Sequence, residues 1–289
     1  MWIIYSLLTA FFTSCVDVIS RKISKNISPY VLSWAYITFS IPFLLIIFAF
    51  MPEPLEVEPV PFWIAAVASA STLVISTIFY FKAIESSELS ISMPMLTFTP
   101  ALLLLTSPLM LGEFPAPLGL SGVLMIVSGA YFLNLQTYKK GIFQPFRSLL
   151  NEKGARYMML TAILYSIGAN IDKIGVMNSA PFIWAIVLNS LLSVFLFPIM
   201  IKKRPDFVSQ IRKNWIFLLS IGICFAAALA FQMTAIRMNI VPYIIAIKRM
   251  SVFFSSVFGF IIFKEQNMRE RLIGVMLMVG GVFLISFFG

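Results

Sequence analysis

VPYIIAIKRMSVFFSSVFGFIIFKE, residues Val241 to Glu265, is an apolar run with Lys248 and Arg249 side by side in its interior. A charge near the middle of a membrane helix costs at least ~2.5–3.5 kcal/mol on insertion scales, so such residues face a partner, water or a ligand. Working outward, the rest of the chain is equally apolar. Hydrophobic residues make up 60% of the 289 positions and charged residues only 11%, with 29 Phe, which exceeds what a soluble core requires. Stretches such as Ile37 to Phe50 are apolar on every side, whereas barrel strands would alternate. The fold class expected is an all-α integral membrane protein.

About 20 apolar residues span hydrocarbon as a helix. Ten such stretches are present, near Trp2–Arg21, Pro29–Met51, Phe62–Ile84, Leu89–Leu111, Phe114–Gln136, Ala155–Met177, Pro181–Ile201, Trp215–Arg237, Val241–Phe263 and Met268–Phe288. The first is read as a retained span, because it lacks a basic n-region and a cleavage signal. Thr137 to Gly154 is basic and polar, and separates the two sets of five.

The two sets repeat at a constant offset of 152 residues. Leu8-Thr9-Ala10 falls on Leu160-Thr161-Ala162, Pro29 on Pro181, Glu113 on Glu265, Gly122-Val123 on Gly274-Val275, and Gly129 on Gly281. One offset through Pro, Gly and Glu positions marks a duplication. The expected domains are therefore residues 1–136, a linker over 137–154, and 155–289. An odd number of spans per copy inverts the second copy, and loop charge agrees. The connector 52–61 carries Glu53, Glu56 and Glu58, while its counterpart carries Lys202, Lys203, Arg204, Arg212 and Lys213. Lys and Arg in short loops mark the cytoplasmic side, which places both termini outside.

The net charge of +9 is accounted for by these loop cations, so the lipid bilayer and not nucleic acid is the expected partner. Histidine is absent, and Cys15 and Cys224 sit singly inside spans. No metal set, cofactor or catalytic residue is expected, and the chain is not read as an enzyme.

Inverted repeats favour a transporter whose site lies where the halves meet. Arg249 supplies a planar fork and Lys248 a point charge, a pair suited to phosphate or carboxylate. Substrate contacts are expected from Lys248, Arg249, Thr97, Ser251, Tyr165 and Tyr243; Thr97 occupies the position matching Arg249. Asp17, Asp172 and Lys173 are the other ionisable residues inside spans, candidates for ion coupling or internal pairing. Two readings stand side by side: the cations hold a ligand, or Asp17 or Asp172 neutralises them permanently. Trp34, Tyr80 and Trp184 either line a cavity or belt the interface. Pro94, Pro100 and Pro108 should kink the fourth span.

Ten spans in a duplicated unit, with Glu113 in LGE and Glu265 in FKE closing the fourth span of each copy, resemble the drug/metabolite transporter superfamily, specifically its EamA-like branch. The resemblance implies a transporter with a central cavity and cytoplasmic termini, the reverse of the loop-charge reading. Lys248-Arg249 looks like the ninth-helix pair with which plastid sugar-phosphate translocators hold substrate phosphate. Those proteins add a basic residue from the fourth helix, and Leu89 to Leu111 has none. The expected function is secondary transport of a small anionic or phosphorylated metabolite by alternating access in a cell (inner) membrane. The alternatives are an exporter of amino acids or neutral metabolites with paired internal charges, and a lipid-handling or assembly protein.

Overall fold

The computed structural model describes residues 1–51, 56–86, 93–136, 151–263 and 268–289. Glu53, the expected start of the fourth span at Leu89, most of the basic linker and Glu265 lie outside the described residues. Every regular element among the described residues is helical: α1 Trp2–Ile23, α2 Pro29–Phe50, α3 Pro59–Ser86, a 3-10 helix Met93–Phe98, α4 Thr99–Leu111, α5 Pro117–Gln136, α6 Lys153–Met177, α7 Pro181–Lys203, α8 Phe207–Met238, α9 Val241–Lys248, α10 Ser251–Phe263 and α11 Met268–Phe288. Seven segments among the described residues are long and apolar enough to cross a membrane.

Helix starts recur 152 residues apart. Pro29 and Pro181 open α2 and α7, and Thr99 and Ser251 open α4 and α10. Prolines at α2 and α7 occupy the first helical turn, where the missing N–H costs nothing. Three spans differ from the sequence expectation. The eighth is longer: α8 begins at Phe207, so Arg212 and Lys213, expected in a connector, are helical. The fourth, expected to be kinked by its prolines, and the ninth, expected as a continuous helix, are each interrupted.

The physical reason is plain in the fourth span. Pro100 lacks the N–H that would reach the Leu96 carbonyl. Thr99 Oγ1 donates to that carbonyl instead at 2.8 Å, and Thr97 Oγ1 donates to Pro94 O at 2.6 Å. In the ninth span no proline intervenes, and the interruption coincides with the cation pair. The N–H groups of Arg249 and Met250 reach back three residues, to Ala246 and Ile247, each at 2.9 Å. That tightening is a 3-10 turn, common where an α-helix ends.

The chain forms two compact units, and each draws on both halves of the sequence. Unit 1 comprises Met1–Val74 and Ile171–Met238, and unit 2 comprises Ile75–Asn170 and Asn239–Gly289. In unit 1, α8 packs against α1, α2 and α7. Gly222 lets α8 approach the α2 backbone at Phe39, where an added Cβ would come within 2.8 Å. Ile23, Ile27, Val31, Ala35, Leu218 and Ile221 form the core there. Trp34 Nε1 donates to Ser193 O at 3.1 Å and Asn189 Nδ2 to Ser40 Oγ at 2.8 Å, tying α2 to α7. Such bonds between membrane helices contribute about 0.6 kcal/mol on average.

In unit 2, α5 and α11 cross closely. An added Cβ on Gly122 would meet Gly281 O, and one on Gly129 would meet Gly274 O. The helices therefore run antiparallel, with each glycine facing the repeat counterpart of the other. Small residues at such a crossing let backbones touch, and dispersion then holds the pair together where no hydrophobic drive exists.

Candidate functional site

Unit 2 contains Lys248, Arg249, Thr97, Ser251, Tyr165 and Tyr243, while Asp17, Asp172 and Lys173 fall in unit 1. The setting of the cation pair begins at Glu113. Gly112 takes a left-handed conformation at φ 67, which turns the chain sharply out of α4. Glu113 Oε2 then accepts the Val241 N–H at 2.9 Å. A carboxylate at this end satisfies an orphan donor and opposes the positive end of the helix dipole. The LGE motif thus fixes where α9 starts. Replacing Glu113 with Ala should lower the thermal unfolding midpoint in detergent, at a cost of about 0.5–2 kcal/mol, and Glu113→Gln should lose less because it keeps an acceptor oxygen.

Tyr243 completes the anchor. It is buried, its Oη accepts the Ala116 N–H at 2.8 Å, and Gly119 leaves room for its ring. Tyr243, expected beside the substrate, faces the start of α5 in this structure. Five residues later α9 ends. Lys248 is its last residue, and Arg249 caps it with φ −63 and ψ −14. Both cations are half-buried, between buried Ile247 and buried Met250. Cations at a helix C-terminus offset the negative end of the dipole. Ser251, also buried, opens α10 directly after the turn.

Tyr165 on α6 lies within electrostatic range of the Arg249 guanidinium. Thr97 is buried, with its hydroxyl committed to Pro94 O. Its structural part is to stabilise the interruption that matches the one at Arg249. A polar cluster not singled out in the sequence lies on α4 and α6. Asn170 is fully buried, accepts from Ser107 Oγ at 2.6 Å and donates to Thr106 Oγ1 at 3.0 Å. Its signal was an amide two residues before Asp172 in an apolar span.

In unit 1 the three ionisable residues have separate settings. Asp172 is 6% exposed and accepts from Ser69 Oγ at 2.6 Å. Lys173 Nζ donates to Ile236 O in the last turn of α8 at 2.5 Å, satisfying one of the carbonyls that a helix end leaves open. Asp17 is exposed on α1. Trp184 is fully buried against Phe62 and Gly175, a packing role and not a belt position.

The site thus combines two half-buried cations with an interrupted membrane span. A model of the EamA-like transporter family matches residues 1–135 and again residues 152–287. The chain belongs to the EamA-like transporter family. Its two matches coincide with the two sequence repeats, and the family lies in the EamA branch of the drug/metabolite transporter superfamily that the LGE and FKE motifs indicated. This EamA-like chain is accordingly a multi-pass integral membrane transporter that moves a small molecule. A solved structure described as "Crystal structure of protein" aligns with a TM-score of 0.77 at 16% identity, over 98% of this chain and 96% of the other. At that identity the match establishes the fold. No curated protein matches the chain.

Proposed function

We propose that this protein is a secondary transporter of a small anionic metabolite, phosphorylated or carboxylated, working by alternating access through ten spans arranged as two inverted repeats. Lys248 and Arg249 are the anion-facing wall. The observation that carries the reading is the paired interruption of the fourth and ninth spans at positions 152 residues apart. Non-helical backbone at membrane depth persists only where protein or a water-filled cavity covers it. Discontinuous helices in matching positions of two repeats are the usual place for a transport site.

The inverted arrangement is supported by the antiparallel, exchanged glycine pairs of α5 and α11, which is how equivalent helices meet across a two-fold axis. The anionic preference is supported by chemistry. Two cations in hydrocarbon gain more from a bound anion than from a neutral solute, and α10 begins beside them with its positive dipole end. A cell (inner) membrane location and a sequence organisation of 1–136, 137–154 and 155–289 complete the proposal.

A second reading draws on Asp172. A buried carboxyl that accepts from the Ser69 hydroxyl suits a proton-handling group in an exporter of amino acids or neutral metabolites. Counterflow separates the two. Proteoliposomes preloaded with unlabelled solute are exposed to the same solute labelled, across phosphate esters, carboxylates and neutral amino acids. Accumulation of the anionic solutes alone is expected; accumulation of neutral amino acids alone would select the second reading.

A further inference from the structure

Unit 1 gathers cations where α1 and α7 end. Arg21, Lys22 and Lys25 close α1 and its connector, and Lys202, Lys203 and Arg204 close α7; all six are exposed. The two connectors are bound to each other. Ser28 N–H donates to Gln210 Oε1 at 2.8 Å, and Arg204 Nε donates to Ser28 Oγ at 3.2 Å. Each side also lends a cation to the other's aromatic ring. Lys22 Nζ lies 5.3 Å from the Phe217 centroid, and Lys203 Nζ lies 5.7 Å from that of Tyr30. Rings under the stems hold these ammonium groups near the membrane plane. Asp206 is the acid beside them, and its Oδ2 accepts from Gln210 Nε2 at 2.7 Å.

Depth identifies the partner. With 32 residues, α8 is about 48 Å long against ~30 Å of hydrocarbon, so its first turns extend into the headgroup layer. Those turns are greasy as well as basic. Val208, Trp215 and Ile216 are 62%, 56% and 59% exposed, next to Arg212 and Lys213. A soluble anion has no use for exposed apolar side chains, whereas a phospholipid presents a phosphate and acyl chains together. Basic groups at the interface attract anionic lipid, and exposed Trp marks headgroup depth.

We propose that this basic end of unit 1 is a docking surface for anionic phospholipid headgroups. The cations are then more than a record of membrane orientation, because their removal changes which lipids the folded protein retains. The test uses the full chain in nanodiscs of phosphatidylcholine, with and without phosphatidylglycerol, and in mixed micelles read by native mass spectrometry. Wild type should retain phosphatidylglycerol in preference to phosphatidylcholine and unfold at a higher temperature when it is present. The Lys202→Gln/Lys203→Gln/Arg204→Gln variant should lose both effects, while Lys82→Gln in unit 2 keeps them. Because Arg204 also bonds Ser28, Lys25→Gln/Lys202→Gln serves as a second variant and should show a partial loss of retention.

Inorganic phosphate alone should not reproduce the stabilisation. Equal retention of both lipids by wild type, undiminished selectivity in both variants, or full stabilisation by inorganic phosphate would each overturn the proposal.

Discussion

Proteoliposomes carrying Lys248→Ala or Arg249→Ala should lose anionic counterflow by roughly thirty-fold or more, since truncating one charge of a desolvated charge pair costs about 2–5 kcal/mol. The loss follows from where the two residues sit. Each is half-buried at the end of α9, between buried Ile247 and Met250, so water cannot replace the missing cation at full strength. Arg249→Lys should recover part of the activity, because charge returns without the planar fork. Fold is a separate readout: the packed residues of α9 precede the cations, so the variants should elute as the same monodisperse species. Counterflow at the wild-type rate in both alanine variants would contradict the anion wall, and a selective loss in Ser69→Ala would favour the Asp172 reading.

The largest effect on stability should come from Gly129→Leu. A Cβ there would lie 2.4 Å from Gly274 O and 2.6 Å from Met278 Cγ. A backbone oxygen cannot swing aside as a side chain can, so α5 and α11 must separate along their length. Overpacking of this kind costs about 1–3 kcal/mol where side chains can yield, and the backbone contact puts this site at or above the upper end. Gly280→Ala is the control. Its Cβ would meet only the terminal methyl of Met125 at 2.9 Å, the far end of a flexible side chain. Thermal unfolding followed by far-ultraviolet circular dichroism should therefore show a large drop for Gly129→Leu and a small one for Gly280→Ala. Equal midpoints would contradict the close crossing of these helices.

Much of the fold was legible because membrane spans obey one dominant constraint, the satisfaction of backbone hydrogen bonds within each helix. Length, apolarity and the offset of 152 residues therefore anticipated Pro29 with Pro181 and the glycines of α5 and α11. What the sequence did not disclose was local. The interruption at Pro94 and Pro100 was signalled by proline, whereas the one at Lys248-Arg249 carries neither Pro nor Gly, and its 3-10 turn shows only in backbone bonding. Tyr243 read as a candidate substrate contact; for an aromatic near a span end, the bond to the Ala116 N–H and the space above Gly119 leave no signal in the sequence. The compact units were also hidden. Repeats record copying along the chain, while packing joins helices from different copies, as α1 with α8 and α5 with α11.

Among the site residues, Lys248 and Arg249 stood out because the first copy, with Leu96 and Thr97, lacks charge at the matching positions. The interruption is common to both copies, but only one of them places cations there. Asn170, by contrast, was passed over beside Asp172, since a neutral amide gives no charge signal and its partners Ser107 and Thr106 come from a different helix.

The most direct test of the central claim is ligand-dependent thermal stability, measured for wild type and Arg249→Gln side by side against phosphate esters, carboxylates, neutral amino acids and inorganic cations. A ligand that binds only the folded state at about a hundred times its Kd stabilises by ~2.7 kcal/mol. Anionic ligands should raise the wild-type midpoint and leave Arg249→Gln unmoved. A rise with neutral amino acids alone, or an equal rise with anions in both proteins, would contradict the assignment of Lys248 and Arg249 as the substrate-facing wall.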